Sequence, residues 1–379
     1  MGRVLILGGG FGGVATAISL RELLPQNDEI IIVDQKPYFM VGFRKTWAML
    51  DIAPLEEGQR KLKDLERLGI KVIQATVDEI KPESRTAIVD GQVMEADALV
   101  VALGIRHATE KIRGFSEHVL NAYTVKDLTH VTDTLRNFKG GRVVVGIFGT
   151  PYQCPPAPFE IAFLTKEFFL QRNINVEMEI FTPKPMALPG AGPVHSETVH
   201  NRLASAGIEF LPKRKVVAVE QGEIIFENER RPFDLALGVP PHVVVDVIRQ
   251  SKLIAEDGWV SVNRNTLETA YDGVYAIGDC LKIPLPGGGQ LPKAGLMAEQ
   301  EGQIVAQRIA SRFAGEKPTA IFDGKGSCNI EMGNDEAALI EGEFYAEYTP
   351  KSIMSDISRQ RLTDKHAFES IRLKKWFGS

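Results

Sequence analysis

Cysteine is scarce in this chain: Cys154, Cys280 and Cys328 are the three among 379 residues. So few exclude a disulfide-stapled scaffold. No hydrophobic run is long enough to span a bilayer as a helix. The chain enters a strand at Arg3 without a secretory leader before it, which predicts cytoplasmic synthesis and residence. In such a reducing compartment a disulfide among the three cysteines is expected to be catalytic and not structural. A haem-attachment CxxCH is absent, and neither the cysteines nor the seven histidines have ligand spacing, so no metal is expected. Excess of one charge sign is also missing. Lys and Arg total 44 against 49 Asp and Glu, a net charge of −5, so nucleic acid is not an expected partner. No low-complexity linker divides the chain. With 44% hydrophobic residues the length suits two or three domains.

Two segments read as the strand, turn and helix that open a nucleotide-binding unit. In RVLILGGGFGGVATAISL, Gly8, Gly10 and Gly13 supply G-x-G-x-x-G directly after an apolar strand. The next strand, EIIIVD, ends on Asp34, 21 residues after Gly13, where an acid binds the hydroxyls of an adenosine ribose. The glycines allow a tight turn and a close backbone approach to a pyrophosphate at a helix N-terminus. The second segment, RVVVGIFGTPYQCPPAPFEIAF, begins the same way with Gly146 and Gly149. It lacks the third glycine, and prolines 155, 156 and 158 follow Cys154 where a phosphate would lie. This predicts a nicotinamide site that has degenerated.

Two further strands end on glycine: ADALVVALGI at Gly104, and YDGVYAIGDC at Gly278–Asp279. A helix is predicted over 292–309. With the first glycine loop, these segments resemble two-dinucleotide flavoproteins. The resemblance implies that FAD is held by Gly8, Gly10, Gly13, Asp34, Gly104, Gly278, Asp279 and Lys293, with the helix after Lys293 aimed at the flavin. The expected fold class is α/β, with two Rossmann-like, doubly wound domains, the second inserted in the first, and a small C-terminal region. The FAD domain is expected over 1–115, completed by 262–318; the second domain over 116–261; the C-terminal region over 319–379.

Cys154 stands ahead of the helix FEIAFLTKEFFLQR, a position that lowers a thiol pKa. Glu160, six residues on, is placed either to carry protons or only to favour the first helical turn. The string QCPPAPFE resembles the redox-cysteine segment of the sulfide:quinone oxidoreductase and flavocytochrome c sulfide dehydrogenase flavoproteins. That resemblance implies that Cys154 pairs with Cys328, in GKGSCNIEMG, as a redox disulfide that sulfide opens. Electrons then pass to FAD and on to quinone. Val41 stands where some relatives attach flavin through a cysteine, so FAD is expected to be non-covalent. Cys280, His195 and His200 are expected to have ordinary packing or surface roles. The alternatives are a cytochrome acceptor, a type II NADH dehydrogenase, and a redox-sensing flavoprotein. A homo-oligomer is compatible with the sequence.

The tail DKHAFESIRLKKWFGS combines Phe368, Ile371, Leu373, Trp376 and Phe377 with Lys365, Arg372, Lys374 and Lys375. Its composition predicts either an amphipathic helix lying on the inner membrane face, which a quinone reductase would need, or a helix packed on the protein.

Overall fold

The computed structural model describes residues 2–286 and 288–378. Short apolar runs set its centre. In β1 (Arg3–Leu7), the residues after Arg3 are all buried, as are most of β2 (Glu29–Asp34). Helix α1 (Phe11–Leu23) joins them, and helix α2 (Arg44–Met49) precedes β3 (Lys71–Gln74) and β4 (Ala98–Val101). Strands buried on both faces read as continuous apolar runs and belong in parallel sheets.

The chain then leaves this sheet through β5 (Ile105–His107) and builds a second one. That sheet contains β6 (Leu120–Asn121), β7 (Gly141–Ile147), helix α3 (Ala157–Gln171), β8 (Val176–Phe181), helix α4 (Gly192–Ser205), β9 (Ile208–Leu211) and β10 (Leu235–Val239). It returns through β11 (His242–Val244), which pairs antiparallel with β5. Strand β12 (Val274–Ala276) then rejoins the first sheet and leads towards helix α5 (Gly295–Phe313).

The first sheet has the order β12-β4-β1-β2-β3 and the second β6-β10-β7-β8-β9. All pairs in both are parallel. The two orders superpose strand for strand: β7 occupies the place of β1, and β8 that of β2. The degenerate repeat read in the two glycine segments is thus a repeat of topology. Helices α1 and α5 cross closely over the first sheet. A methyl at Gly302 would lie 2.5 Å from the Gly12 carbonyl oxygen, so only glycine allows this approach.

The remainder is an antiparallel sheet of β13 (Lys325–Glu331), β14 (Ala337–Glu343) and β15 (Lys351–Met354), followed by helix α6 (Arg359–Phe377). Ile330, Met332, Ala338 and Ile340 from this region enter the core of the second sheet, while Leu373, Trp376 and Phe377 enter the core of the first. Among the described residues no helix is long and apolar enough to cross a membrane.

Helix α6 packs on the protein. Trp376 packs edge-on against Phe11 and Phe39, with ring centres 5.8 and 5.2 Å apart, and Phe377 stacks on Phe39 at 5.6 Å. Arg372 pairs with Glu299 at 2.7 Å. Only Ile371, Lys374 and Lys375 of the predicted lipid-facing set stay exposed. Trp376 and Phe377 therefore cover the glycine-loop helix, because the first sheet offers them a dry aromatic surface.

Candidate active site

A cleft of about 750 Å³ runs between the two parallel sheets and under α6. Gly10, Asp34, Gly104, Cys154, Glu160, Gly278, Asp279, Lys293 and Cys328 all line it. Gly8 and Gly13 lie behind it and shape its floor. A methyl on Gly13 would sit 1.8 Å from the Gly8 carbonyl oxygen, and Gly8 itself has φ +110°. Gly10, at the N-terminus of α1, faces open space with no atom within 4 Å of where a Cβ would stand. One Asp34 carboxylate oxygen accepts from Gly9 N–H and the other from Lys36 N–H, both at 2.7 Å, which fixes the acid beside the glycine turn. An open glycine cradle, a helix N-terminus and an anchored acid in a cleft of this size fit a dinucleotide.

Gly13→Ala is expected to break this floor, because the clash is with backbone and nothing flexible can yield. A loss of about 1–3 kcal/mol is expected, as for overpacking at a close contact. Thermal melting together with the flavin retained on purification checks it.

The far end of the cleft holds the sulfur atoms. Cys154 ends the turn before α3 and has φ +49°, in the left-handed region. Its carbonyl accepts from Ala157 N–H at 2.9 Å, and its own N–H donates to the Lys293 carbonyl at 2.6 Å. Cys328 comes from β13. Both are free thiols and hydrogen-bond one another. That bond holds the Cys154 pKa below the usual thiol value, with Lys365 and the Ala157 N–H acting the same way against burial and Glu160. The same bond, with burial, pushes Cys328 well above it. Cys154 is thus the more acidic thiol of the pair. Cys280 is buried, bonded to backbone carbonyls and pushed up to about 12 by burial, an inert thiol.

Glu160 is buried and belongs to an ion triad. Lys365 of α6 donates to Glu160 at 2.6 Å and to Glu331 at 2.7 Å. Glu331 also accepts from the Trp47 indole at 2.6 Å, and Glu160 accepts from the Glu331 N–H at 3.0 Å. Burial raises the Glu160 pKa; Lys365 opposes this and Glu331 adds to it. Glu160 is therefore more than a favourable first-turn acid: it is a wired carboxylate within electrostatic reach of both thiols.

Lys293 is placed differently from expectation. Its ammonium donates to the carbonyls of Asp279 and Leu281, at 2.6 and 2.5 Å, and lies over the Trp259 ring. It staples the strand-end loop, and α5 begins two residues later at Gly295.

Several residues that sequence reasoning passed over also sit here. Lys45 lines the cleft, donates to the Tyr123 carbonyl at 2.8 Å and is lowered by burial to about 8. His107 and His242 face each other across β5 and β11, with ring centres 4.8 Å apart. Burial lowers them to about 3 and about 4, so they are neutral imidazoles. His195, in contrast, contacts the Ser352 carbonyl on the antiparallel sheet.

In the second segment Gly146 lies within β7, and both glycines are closely packed. A Cβ on Gly146 would meet Phe181 at 2.3 Å, and one on Gly149 would meet Pro241 at 2.7 Å. Its glycines accommodate side-chain packing where Gly10 faces open cleft.

Residues 2–302 match the pyridine nucleotide-disulphide oxidoreductase family. The chain belongs to that family. Within this group of disulphide oxidoreductases it is 24% identical over 379 residues to the mitochondrial sulfide:quinone oxidoreductase of Mus musculus, a match covering 95% of this chain and 82% of that protein. It is 25% identical over 347 residues to the type II NADH:quinone oxidoreductase of Staphylococcus aureus (strain NCTC 8325 / PS 47), covering 83% of each. The solved sulfide:quinone oxidoreductase from the hyperthermophilic bacterium Aquifex aeolicus superposes with a TM-score of 0.91 at 22% identity, covering all of this chain and 92% of that one. That likeness establishes the two-unit Rossmann-type fold.

Proposed function

We propose that this protein is an FAD-dependent sulfide:quinone oxidoreductase. The observation that carries the reading is the meeting of Cys154 and Cys328 in the cleft that the glycine loop and Asp34 also line. Their positions in the chain are 174 apart, and nothing but the fold brings them together. The FAD domain comprises residues 1–115 and 262–318, with the second unit over 116–261 and the C-terminal region over 319–379. Gly8, Gly10 and Gly13 shape the phosphate turn; Asp34 serves the ribose; Gly104, Gly278 and Asp279 line the flavin end, and Lys293 supports it.

The two thiols are the reduced form of the pair. In the oxidised form hydrosulfide attacks the disulfide; one S–S bond forms as the other breaks. Attack at Cys328 releases Cys154, the better leaving group because its thiolate is stabilised by the Ala157 N–H and Lys365. Cys328 then carries the persulfide, and the attacking sulfur's proton stays on the persulfide or passes to Glu160. A second hydrosulfide accepts the outer sulfur from Cys328 as a hydrodisulfide and leaves both cysteines reduced; FAD held in the cleft would supply the two-electron oxidation that re-forms the disulfide, with quinone as the final acceptor. Glu160, raised by burial and linked to Lys365, is suited to hold a proton beside the sulfur atoms. Quinone lives in the bilayer, so the protein meets a membrane surface peripherally. The buried tail aromatics are not its contact.

The missing third glycine and prolines 155, 156 and 158 of the second segment favour this reading over NADH oxidation. An anaerobic titration tests it. Sulfide is expected to bleach the flavin absorbance, while micromolar NADH leaves it slow to change. Rapid bleaching by NADH and none by sulfide would replace the proposal with the dehydrogenase reading.

A further inference from the structure

Gln153 opens the QCPPAPFE string but was given no role there, and it lies at the meeting point of three segments. Its side-chain amide donates to the Asp279 carboxylate. Its backbone carbonyl accepts from the Tyr123 hydroxyl at 3.0 Å. Residues 153 and 293 form a parallel bridge, and the next N–H, that of Cys154, donates to the Lys293 carbonyl at 2.6 Å. Lys293 in turn donates to the Asp279 carbonyl at 2.6 Å. Asp279 is therefore gripped twice, by carboxylate from Gln153 and by carbonyl from Lys293, whose own carbonyl holds the Cys154 N–H.

We infer that Gln153 is a positioning residue that latches the Asp279 loop of the cofactor cleft to the Cys154 turn, so that cofactor retention and Cys154 reactivity are set together. The inference rests on reading the cleft as the FAD site and Cys154 as the redox thiol. Three physical points support it. First, Cys154 occupies left-handed backbone that a residue with a Cβ holds only when its neighbours over-determine it. Second, the contact needs a donor. An acid at 153 would repel Asp279, and an apolar side chain would leave the part-buried carboxylate oxygen without this donor. Third, one Asp279 oxygen is committed to Gln153, and the other is free to face the cleft. Coupling between two sites through one element is reciprocal, so a change on either side is felt on the other.

The test uses the FAD-loaded protein with both cysteines reduced. Two quantities are read in wild type and in Gln153→Leu. One is the rate of FAD release after dilution. The other is the rate of Cys154 alkylation by iodoacetamide as a function of pH, followed on its peptide with Cys328 as internal reference. A latch predicts that Gln153→Leu speeds FAD release and shifts the Cys154 profile relative to Cys328, each by about five- to tenfold at neutral pH, within the usual range of site–site coupling. A residue that only adds stability would lower the melting temperature and leave the Cys154 profile in place. That result overturns the inference, as does wild-type FAD release.

Should Gln153→Leu fail to fold, Gln153→Glu decides. Its carboxylate repels Asp279 at neutral pH and can donate once protonated, so FAD release is expected to be fast at pH 8 and to slow towards wild type as pH falls into the carboxylate range. PH-independent release in that variant overturns the latch. Neither readout involves sulfide, so failure of the latch is distinct from failure of the sulfide titration, which bears on the functional reading.

Discussion

Cys154→Ser and Cys328→Ser should each purify yellow and each fail to take electrons from sulfide. On the proposed mechanism the oxidised pair accepts sulfide, and a single thiol has no S–S bond to open. Neither sulfur holds the glycine cradle, so FAD stays bound. The rate of sulfide-driven flavin bleaching is expected to fall on the order of 10³-fold or more, as when one member of a unit that acts together is removed. Cys280→Ser serves as the comparison. Its thiol is buried, bonded to the Val101 and Ile277 carbonyls and protonated up to about pH 12, so a hydroxyl can replace it with most turnover retained. Stopped-flow absorbance under anaerobic sulfide distinguishes the three variants. Wild-type bleaching by Cys328→Ser would remove the paired-thiol mechanism while leaving the flavin assignment standing.

The second large effect is expected from Lys365→Met. This exchange keeps an unbranched side chain of similar length and deletes the cation between Glu160 and Glu331. All three charged groups are buried. Breaking a buried ion cluster by removing one partner leaves uncompensated charge and costs about 3–5 kcal/mol. The pH dependence has a definite sign. The Glu160 pKa is already raised in the folded protein by burial, and loss of Lys365, which opposes that rise, pushes it higher. A carboxyl with a raised folded pKa binds its proton more tightly folded than unfolded. Its destabilisation is therefore full above the folded pKa and relieved as pH falls through it towards the ordinary value of 4.5. Lys365→Met should thus be most destabilised at neutral and alkaline pH and recover towards pH 5. Urea unfolding at pH 8 and pH 5 measures both numbers. A uniform loss across that range would mean that Glu160 is already protonated in the native protein.

The strands, the glycine loop and the acid that follows were legible because each is local. A run such as VLIL or IIIV followed by glycine carries its own burial and turn, and the repeat in sheet order could be read from two similar openings. The tail was legible only as a choice. Its aromatics and cations suit a bilayer surface and a protein surface equally, and the choice depends on Phe11 and Phe39, more than 300 positions earlier. The ion triad was not legible, since Lys365 and Glu160 lie 205 positions apart. One signal was available: Lys365, Glu369, Arg372 and Trp376 fall on a single helical stripe that ends in a core residue. His107 and His242 escaped notice for the same reason, since each is a lone histidine until the antiparallel pairing of two strands makes them neighbours. Glycines mislead when counted without their surroundings. Gly10 and Gly146 sit in the same kind of motif, and only the atoms beyond each show which faces space and which faces Phe181.

The docking of α6 has a consequence for biosynthesis. Phe11, at the first turn of the glycine-loop helix, is covered by Phe368 and Trp376, and the carboxylate beside the redox thiols is neutralised by Lys365. A nascent chain that has left the ribosome only as far as residue 350 can pair the strands of both sheets, yet it exposes an aromatic floor and two buried acids without a counter-ion. Covering of that floor is therefore completed only once translation has passed residue 377, and a truncated translation product would present a sticky aromatic surface and unpaired acids to the cell's quality-control machinery.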